Sequence, residues 1–231
     1  MPERGVRQPL LLAWETSTND GVVCLSRQGL LASARFRTVK GHAGWLMPLI
    51  DSTVRGAGVE VHDIAAVACG IGPGGFTGVK VVVATAKSMA LALGVPLVGV
   101  PTLDLLGAHA PPSAPEVLAC IDARQGMLYA AAYRTGGPLP ERLSDYACVA
   151  PREAARMAAD AGGIDITIVG FAHPELLEAC ESSGVRASSV DFESVGFPAG
   201  CTLASMAEAM LEQGDAGDAF TVAPIYLRKP V

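Results

Sequence analysis

Short apolar runs, broken by turn residues, open the chain. Leu10-Leu11-Leu12-Ala13-Trp14, Gly21-Val22-Val23-Cys24-Leu25 and Leu30 to Phe36 each read as a strand. Asn19-Asp20-Gly21 and Gln28-Gly29 supply the turn chemistry between them, which predicts an antiparallel meander. The period then changes. Trp45, Leu46, Leu49, Ile50 and Val54 recur at helical spacing, predicting a helix over about Gly44 to Ala57. Pro48 is tolerated there by falling near the first turn, and Gly56 and Gly58 suit the end. Ile64 to Cys69 is a buried strand, Thr77 to Leu93 a long apolar helix, Pro96 to Val100 a strand and Thr102 to His109 a short helix. The order β-β-β-α-β-α-β-α differs from the simple alternation of a dinucleotide-binding sheet.

Ala110-Pro111-Pro112-Ser113-Ala114-Pro115 reads as a boundary, dividing the chain into residues 10–109 and 116–231. Beyond it, Val117 to Asp122 and Met127 to Tyr133 form a hairpin around Arg124-Gln125-Gly126. Strands near Tyr146 to Val149 and at Ile166 to Gly170 follow, with helices at Pro151 to Ala161, Pro174 to Glu181 and Gly200 to Gln213. The tail from Val222 to Arg228 is short and amphipathic. The second half repeats the strand-rich start of the first only loosely.

One strand-to-helix turn stands apart: Gly70-Ile71-Gly72-Pro73-Gly74-Gly75-Phe76-Thr77-Gly78. Glycines allow close backbone approach, and a helix start carries unpaired N–H groups that favour anions. Gly72, Gly74, Gly75 and Thr77 are therefore candidate cofactor-binding residues. The same glycines would also be needed for a tight turn alone, and both uses stay open at this point.

Composition narrows the class. Half of the 231 residues are hydrophobic, 17% are charged and the formal net charge is −6, so this is a core-rich globular chain without a basic block. If RNA is involved, another chain is expected to grip it. Six scattered cysteines form no C-x-x-C pair, which argues against metal or disulfide frameworks and suits a reducing cytoplasm. No signal-peptide core precedes Leu10, and the apolar stretch Val79 to Leu93 is short for a membrane span, so no membrane role is expected.

Several of these segments match a known family in order and spacing. They are Leu12-Ala13-Trp14-Glu15-Thr16-Ser17-Thr18, His42 at the first helix, Gly72-Pro73-Gly74-Gly75-Phe76-Thr77-Gly78, Asp122-Ala123-Arg124-Gln125-Gly126 and Pro224-Ile225-Tyr226-Leu227-Arg228. Together they resemble the TsaB (YeaZ) family of tRNA threonylcarbamoyladenosine modification, from about Leu10 to Arg228. The resemblance implies an α/β, actin-like ATPase (ASKHA, ribonuclease H-like) fold of two lobes, the second reduced. It implies partnership with a catalytic paralogue, TsaD, and an ATPase, TsaE, which together transfer threonylcarbamoyl to N6 of adenosine 37. tRNA would be met through the complex, and the chain alone would form a homodimer. Three positions depart from the family's usual residues: Glu15 for Asp, Gly75 for Ser and Lys80 for Arg. Loss of the hydroxyl and of a planar fork weighs against nucleotide binding by this chain itself. No cofactor of its own is expected, with ATP or ADP confined to the interface of the complex.

The catalytic paralogue holds a metal through an H-x-x-x-H pair on the first helix, where residues i and i+4 share a face. Here the segment is His42-Ala43-Gly44-Trp45-Leu46, with leucine in the second ligand's place. His62, His109 and His173 follow no ligand spacing. The expectation is no metal site, no catalytic residue and a non-catalytic scaffold, with His42 a helix-start or surface histidine. Glu15 could serve as a base or as a water-mediated Mg²⁺ ligand, but reads better as a hydrogen-bonded acid at a strand end. Asp122 with Arg124 reads as a structural polar pair. The helix from Thr77 to Leu93 has little polar face and needs cover on more than one side. A partner interface is therefore expected at Trp45, Leu46, Leu49, Thr53, Val82, Ala86 and Met89. Two alternatives stand beside this reading: an actin-fold ATPase or phosphotransferase working alone, and a metallopeptidase.

Overall fold

A computed structural model of the protein describes residues 9–37, 42–137, 139–162 and 164–228. The first half runs β1 (Leu10–Glu15), β2 (Asp20–Ser26), β3 (Leu30–Arg37), α1 (His42–Gly56), β4 (Ile64–Gly70), α2 (Phe76–Leu93), β5 (Leu97–Val100) and α3 (Thr102–Ala108). The second half runs β6 (Glu116–Asp122), β7 (Leu128–Arg134), β8 (Glu141–Arg142), β9 (Ala147–Val149), α4 (Pro151–Asp160), β10 (Asp165–Gly170), α5 (Pro174–Ser182), β11 (Arg186–Val190) and α6 (Gly200–Gln213). Helix α1 begins at His42, two residues before the expected start. Pro48 thus lies inside it, where the backbone bond it cannot donate would have reached the exposed carbonyl of Gly44.

The first sheet has the order β3-β2-β1-β4-β5. Strands β1, β2 and β3 are antiparallel neighbours, and β4 and β5 run parallel to β1. The second sheet has the order β11-β10-β6-β7-β8, with β9 also on β7. Here β6 and β7 are antiparallel, and β10 and β11 run parallel to β6. The two halves therefore repeat one βββαβαβα plan, the third strand of the second copy being cut to the short pieces β8 and β9. This doubled arrangement is the ribonuclease H-like, actin-like ATPase fold, with a reduced second lobe.

Strand alternation gives each sheet two apolar faces. Leu10, Leu12 and Trp14 face α1 and α2 with Val23, Val67 and Cys69. Leu11 and Ala13 face the opposite way, into a core shared by both halves. That middle core holds α3 and α6, each on the other half's sheet. Helix α3 packs on β6, β7 and β10, and α6 on β1, β2, β3 and β5. The helices thus cross the boundary expected at residues 110–115. Helices α4 and α5 cover the outer face of the second sheet.

Two polar clamps tie this middle layer. His109, after α3, meets the Leu105 carbonyl through Nδ1 at 2.7 Å, and its Nε2 accepts from the Ala199 N–H at 2.9 Å, at the start of α6. Asp104 on α3 accepts from the hydroxyls of Tyr133 and Tyr146, both at 2.7 Å. Gly200 fits α6 against the first sheet, since a Cβ there would lie 2.4 Å from Ser33 Oγ.

Candidate functional site

The glycine turn leaves the end of β4 beside the end of β1. Glu15 is fully buried there. The Ser17 N–H donates to its Oε1, and Thr102 Oγ1 lies 3.0 Å from its Oε2. Thr102 Oγ1 is also 3.0 Å from Ser17 Oγ. Burial pushes the Glu15 carboxyl above its ordinary value, against the opposing pull of the Ser17 and Thr102 hydrogen bonds. A Cβ at residue 70 would sit 1.8 Å from Glu15 Oε2, so glycine is the residue that admits this carboxyl.

The rest of the turn is equally occupied by its own chain. A Cβ on Gly74 would lie 2.5 Å from the Ser17 carbonyl oxygen. The Gly75 N–H donates to that same oxygen at 2.8 Å, and the Gly72 carbonyl accepts from the Thr102 N–H at 2.8 Å. Gly72 has φ +83° and lies 3.2 Å, from its missing Cβ, to the Ile225 carbonyl of the tail. Of the four candidate cofactor residues, Gly72 and Gly74 thus serve close packing and Gly75 spends its N–H internally. Thr77 stands exposed on the first turn of α2. In the second half, Asp122 accepts from the Arg124 N–H at 2.8 Å and pairs with its guanidinium at 3.2 Å.

The candidate metal pair divides differently. The side chain of His42 lies outside the described residues. Leu46 is only 1% exposed and turned into the core beneath α1.

The outer face of α1 and α2 is the other candidate. Four of the expected interface residues lie beneath it. Leu46, Thr53, Val82 and Ala86 are buried, because each falls on the helix side that faces the sheet. The Trp14 indole N–H donates to the Val82 carbonyl at 3.3 Å from below, and Thr53 Oγ1 turns back to the Leu49 carbonyl at 2.7 Å. What remains outward is Trp45 at 61% exposure, Met47 at 52% and Leu91 at 62%, with Leu49, Val81 and Met89 half-buried. Met47 and Leu91 were not singled out from sequence; a helical wheel phased on Leu46 and Val82 as inward positions would have found them. By length and composition α2 could cross a membrane. Its inner side is committed to the sheet, and its exposed positions mix Ala84, Leu91 and Ala92 with Thr77, Lys80 and Ser88.

Comparison with known proteins decides the family. Residues 37–189 match the family model described as "TsaD: tRNA N6-adenosine threonylcarbamoyltransferase". The chain belongs to this family, on its TsaB/YeaZ branch. Among curated TsaB/YeaZ relatives, the Escherichia coli K12 protein named "tRNA threonylcarbamoyladenosine biosynthesis protein TsaB" is 35% identical over 126 residues, 54% of each chain. The Bacillus subtilis TsaB is 28% identical over 134 residues, 58% of each. These alignments span little more than half the length of the curated relatives. The solved structure titled "YeaZ from Pseudomonas aeruginosa" superposes with TM-score 0.80 at 27% identity, covering 95% of this TsaB/YeaZ chain and 100% of that one.

Proposed function

We propose that this chain is a non-catalytic subunit of tRNA threonylcarbamoyladenosine biosynthesis, acting by contact with a TsaD-type catalytic paralogue. The observation that carries the reading is the outer face of α1 and α2. Trp45, Met47 and Leu91 stand exposed on two helices whose other sides are already packed. Large exposed apolar side chains are surface that a partner can cover, and an aromatic among them is the usual energetic anchor. An isologous pairing of the same face gives a homodimer when the paralogue is absent. The TsaE-type ATPase and tRNA join through the assembled complex, and any ATP or ADP sits at its interfaces.

The buried acid supports the non-catalytic half of the reading. Glu15 is sealed under its own turn, with burial favouring the neutral form, so it is placed to hold structure rather than to abstract a proton or ligate a cation. Reconstitution tests the proposal. tRNA modification is measured with the TsaD-type and TsaE-type partners, with and without this chain. Activity should fall to background without it; full activity in its absence would remove the proposal. Stand-alone ATP turnover by the purified chain would instead favour the ATPase alternative.

A further inference from the structure

After α6, the chain runs back along the first sheet before it ends. The Leu97 N–H donates to the Gly217 carbonyl at 3.0 Å, and the Gly217 N–H to the Leu97 carbonyl at 2.9 Å, so the tail pairs with β5. Asp218 shapes the next turn, accepting from the N–H groups of Phe220 and Thr221, both at 2.8 Å. Val222 then packs at Gly99, where a Cβ would lie 3.0 Å from its Cγ1. The Ile225 N–H donates to the Ile71 carbonyl at 2.8 Å. The Tyr226 ring lies 5.3 Å from that of Phe76, the first residue of α2. Leu97, Gly99, Ile71 and Phe76 all belong to the first half.

Arg228 changes sides. Its guanidinium donates to the carbonyls of Ala123 at 3.0 Å and Arg124 at 3.4 Å, and to the Gln125 side chain. These three residues lie in the turn between β6 and β7, in the second half. Arg124, Gln125 and Gly126 are successive left-handed residues, with φ of 67°, 55° and 71°. Non-glycine residues adopt that region at a cost. The turn is nevertheless fixed, since the Ala123 N–H donates to the Met127 carbonyl at 3.0 Å and the Met127 N–H to the Arg124 carbonyl at 3.1 Å. Among the described residues no carboxylate pairs with Arg228, so its hold on the second half is through neutral acceptors.

The two halves otherwise meet through the apolar middle layer, whose contacts are non-directional. Directional bonds set the angle across such a layer. The Ala199 N–H to His109 Nε2 bond is one, joining the helix on the first sheet to the helix on the second. Arg228 on its turn is another, placed at the chain's end.

We propose that residues 215–228 form a releasable strap with Arg228 as its catch. Seated, the strap fixes the angle between the two halves. With Arg228 out of its turn, the halves shift against each other on the middle layer. The contact of Tyr226 with Phe76 ties the same strap to the start of α2, so that helix and the second-half turn move together.

Amide hydrogen exchange, followed by NMR in the full chain, tests this. In Arg228→Ala the Ala123 and Ile225 N–H groups should exchange faster. The Ala199 N–H, whose acceptor is His109, should also exchange roughly tenfold faster, because losing a charge-assisted bond eases opening of the whole joint. Ile168, buried in β10, should keep its wild-type rate. Arg228→Lys keeps the charge but cannot fork to three acceptors, and should fall between the two. Faster exchange at Ala123 and Ile225 with Ala199 unchanged would reduce the strap to a local pin and overturn the proposal. Unchanged rates throughout, or a rise at Ile168 equal to that at Ala199, would overturn it as well. If Arg228→Ala does not fold, Arg228→Lys gives the same readouts. The isolated chain is used, so these outcomes are separate from success or failure of the reconstituted assembly.

Discussion

Acidification should unlock the joint between α3 and α6, with His109 as the responsible group. The imidazole is 9% exposed and uses both nitrogens, one toward the Leu105 carbonyl and one accepting from the Ala199 N–H. An acceptor nitrogen cannot keep its bond once protonated. Burial, with the positive charge of Arg35 adding to it, lowers the His109 pKa from 6.5 to about 4. The unfolded chain takes up a proton near the higher value and the folded chain only near the lower. Stability is thus fully present above about pH 7 and declines as pH falls toward 4. At about 1.4 kcal/mol per pKa unit, the loss is about 2 kcal/mol by pH 5 and about 3 kcal/mol by pH 4. Urea unfolding of the wild type and of His109→Gln across this range isolates the contribution, because an amide can replace both hydrogen bonds without titrating. The wild type should lose that much more stability than the variant. Parallel stability curves for the two proteins would refute the reasoning.

Other outcomes follow from the same geometry. Glu15→Gln should reduce the stability lost as pH rises past 4.5, because the folded carboxyl keeps its proton to higher pH than the unfolded one; urea midpoints over pH 4 to 8 read this out. Gly74→Ala should cost roughly 1–3 kcal/mol in urea unfolding, because its Cβ would meet the Ser17 carbonyl oxygen at 2.5 Å, and a smaller effect would mean the turn yields easily. Tyr133→Phe should cost about 1–2 kcal/mol by removing a 2.7 Å hydrogen bond to Asp104, measured the same way. Val82→Asp should fail to fold rather than merely fail to bind, since it places a carboxylate in the sealed layer between α2 and the first sheet; soluble, folded protein by circular dichroism would contradict that placement.

The first half of the fold was legible because each of its elements carries a local signal of its own. Strands β1 and β2 are continuous apolar runs, α1 has a helical stripe, and the glycine turn marks the β4–α2 junction. Strand β11 escaped notice because Arg186-Ala187-Ser188-Ser189-Val190 is a polar edge strand, held by parallel pairing to β10 rather than by two-sided burial. The exchange of α3 and α6 between the sheets is a long-range fact that no local pattern encodes. It explains the burial of Leu103, Leu105 and Leu106 in a helix of only seven residues. At the site, sequence pointed to the right helices but not to their phase. Helix α2 is apolar nearly all round, so its composition did not separate Val82, turned to the sheet, from Leu91, turned outward. The glycine motif pointed to close approach without saying what approaches, and the structure supplies Ser17, Glu15 and the tail.

The account turns on whether the exposed side of α1 and α2 is where this chain works. Sedimentation velocity of the chain mixed with a TsaD-type partner measures that directly, comparing the wild type with Trp45→Glu and Leu91→Glu, whose exposed positions leave the fold intact. A stable wild-type heterodimer that dissociates at least tenfold more readily in both variants is the expected result. Unchanged association in both would contradict the account.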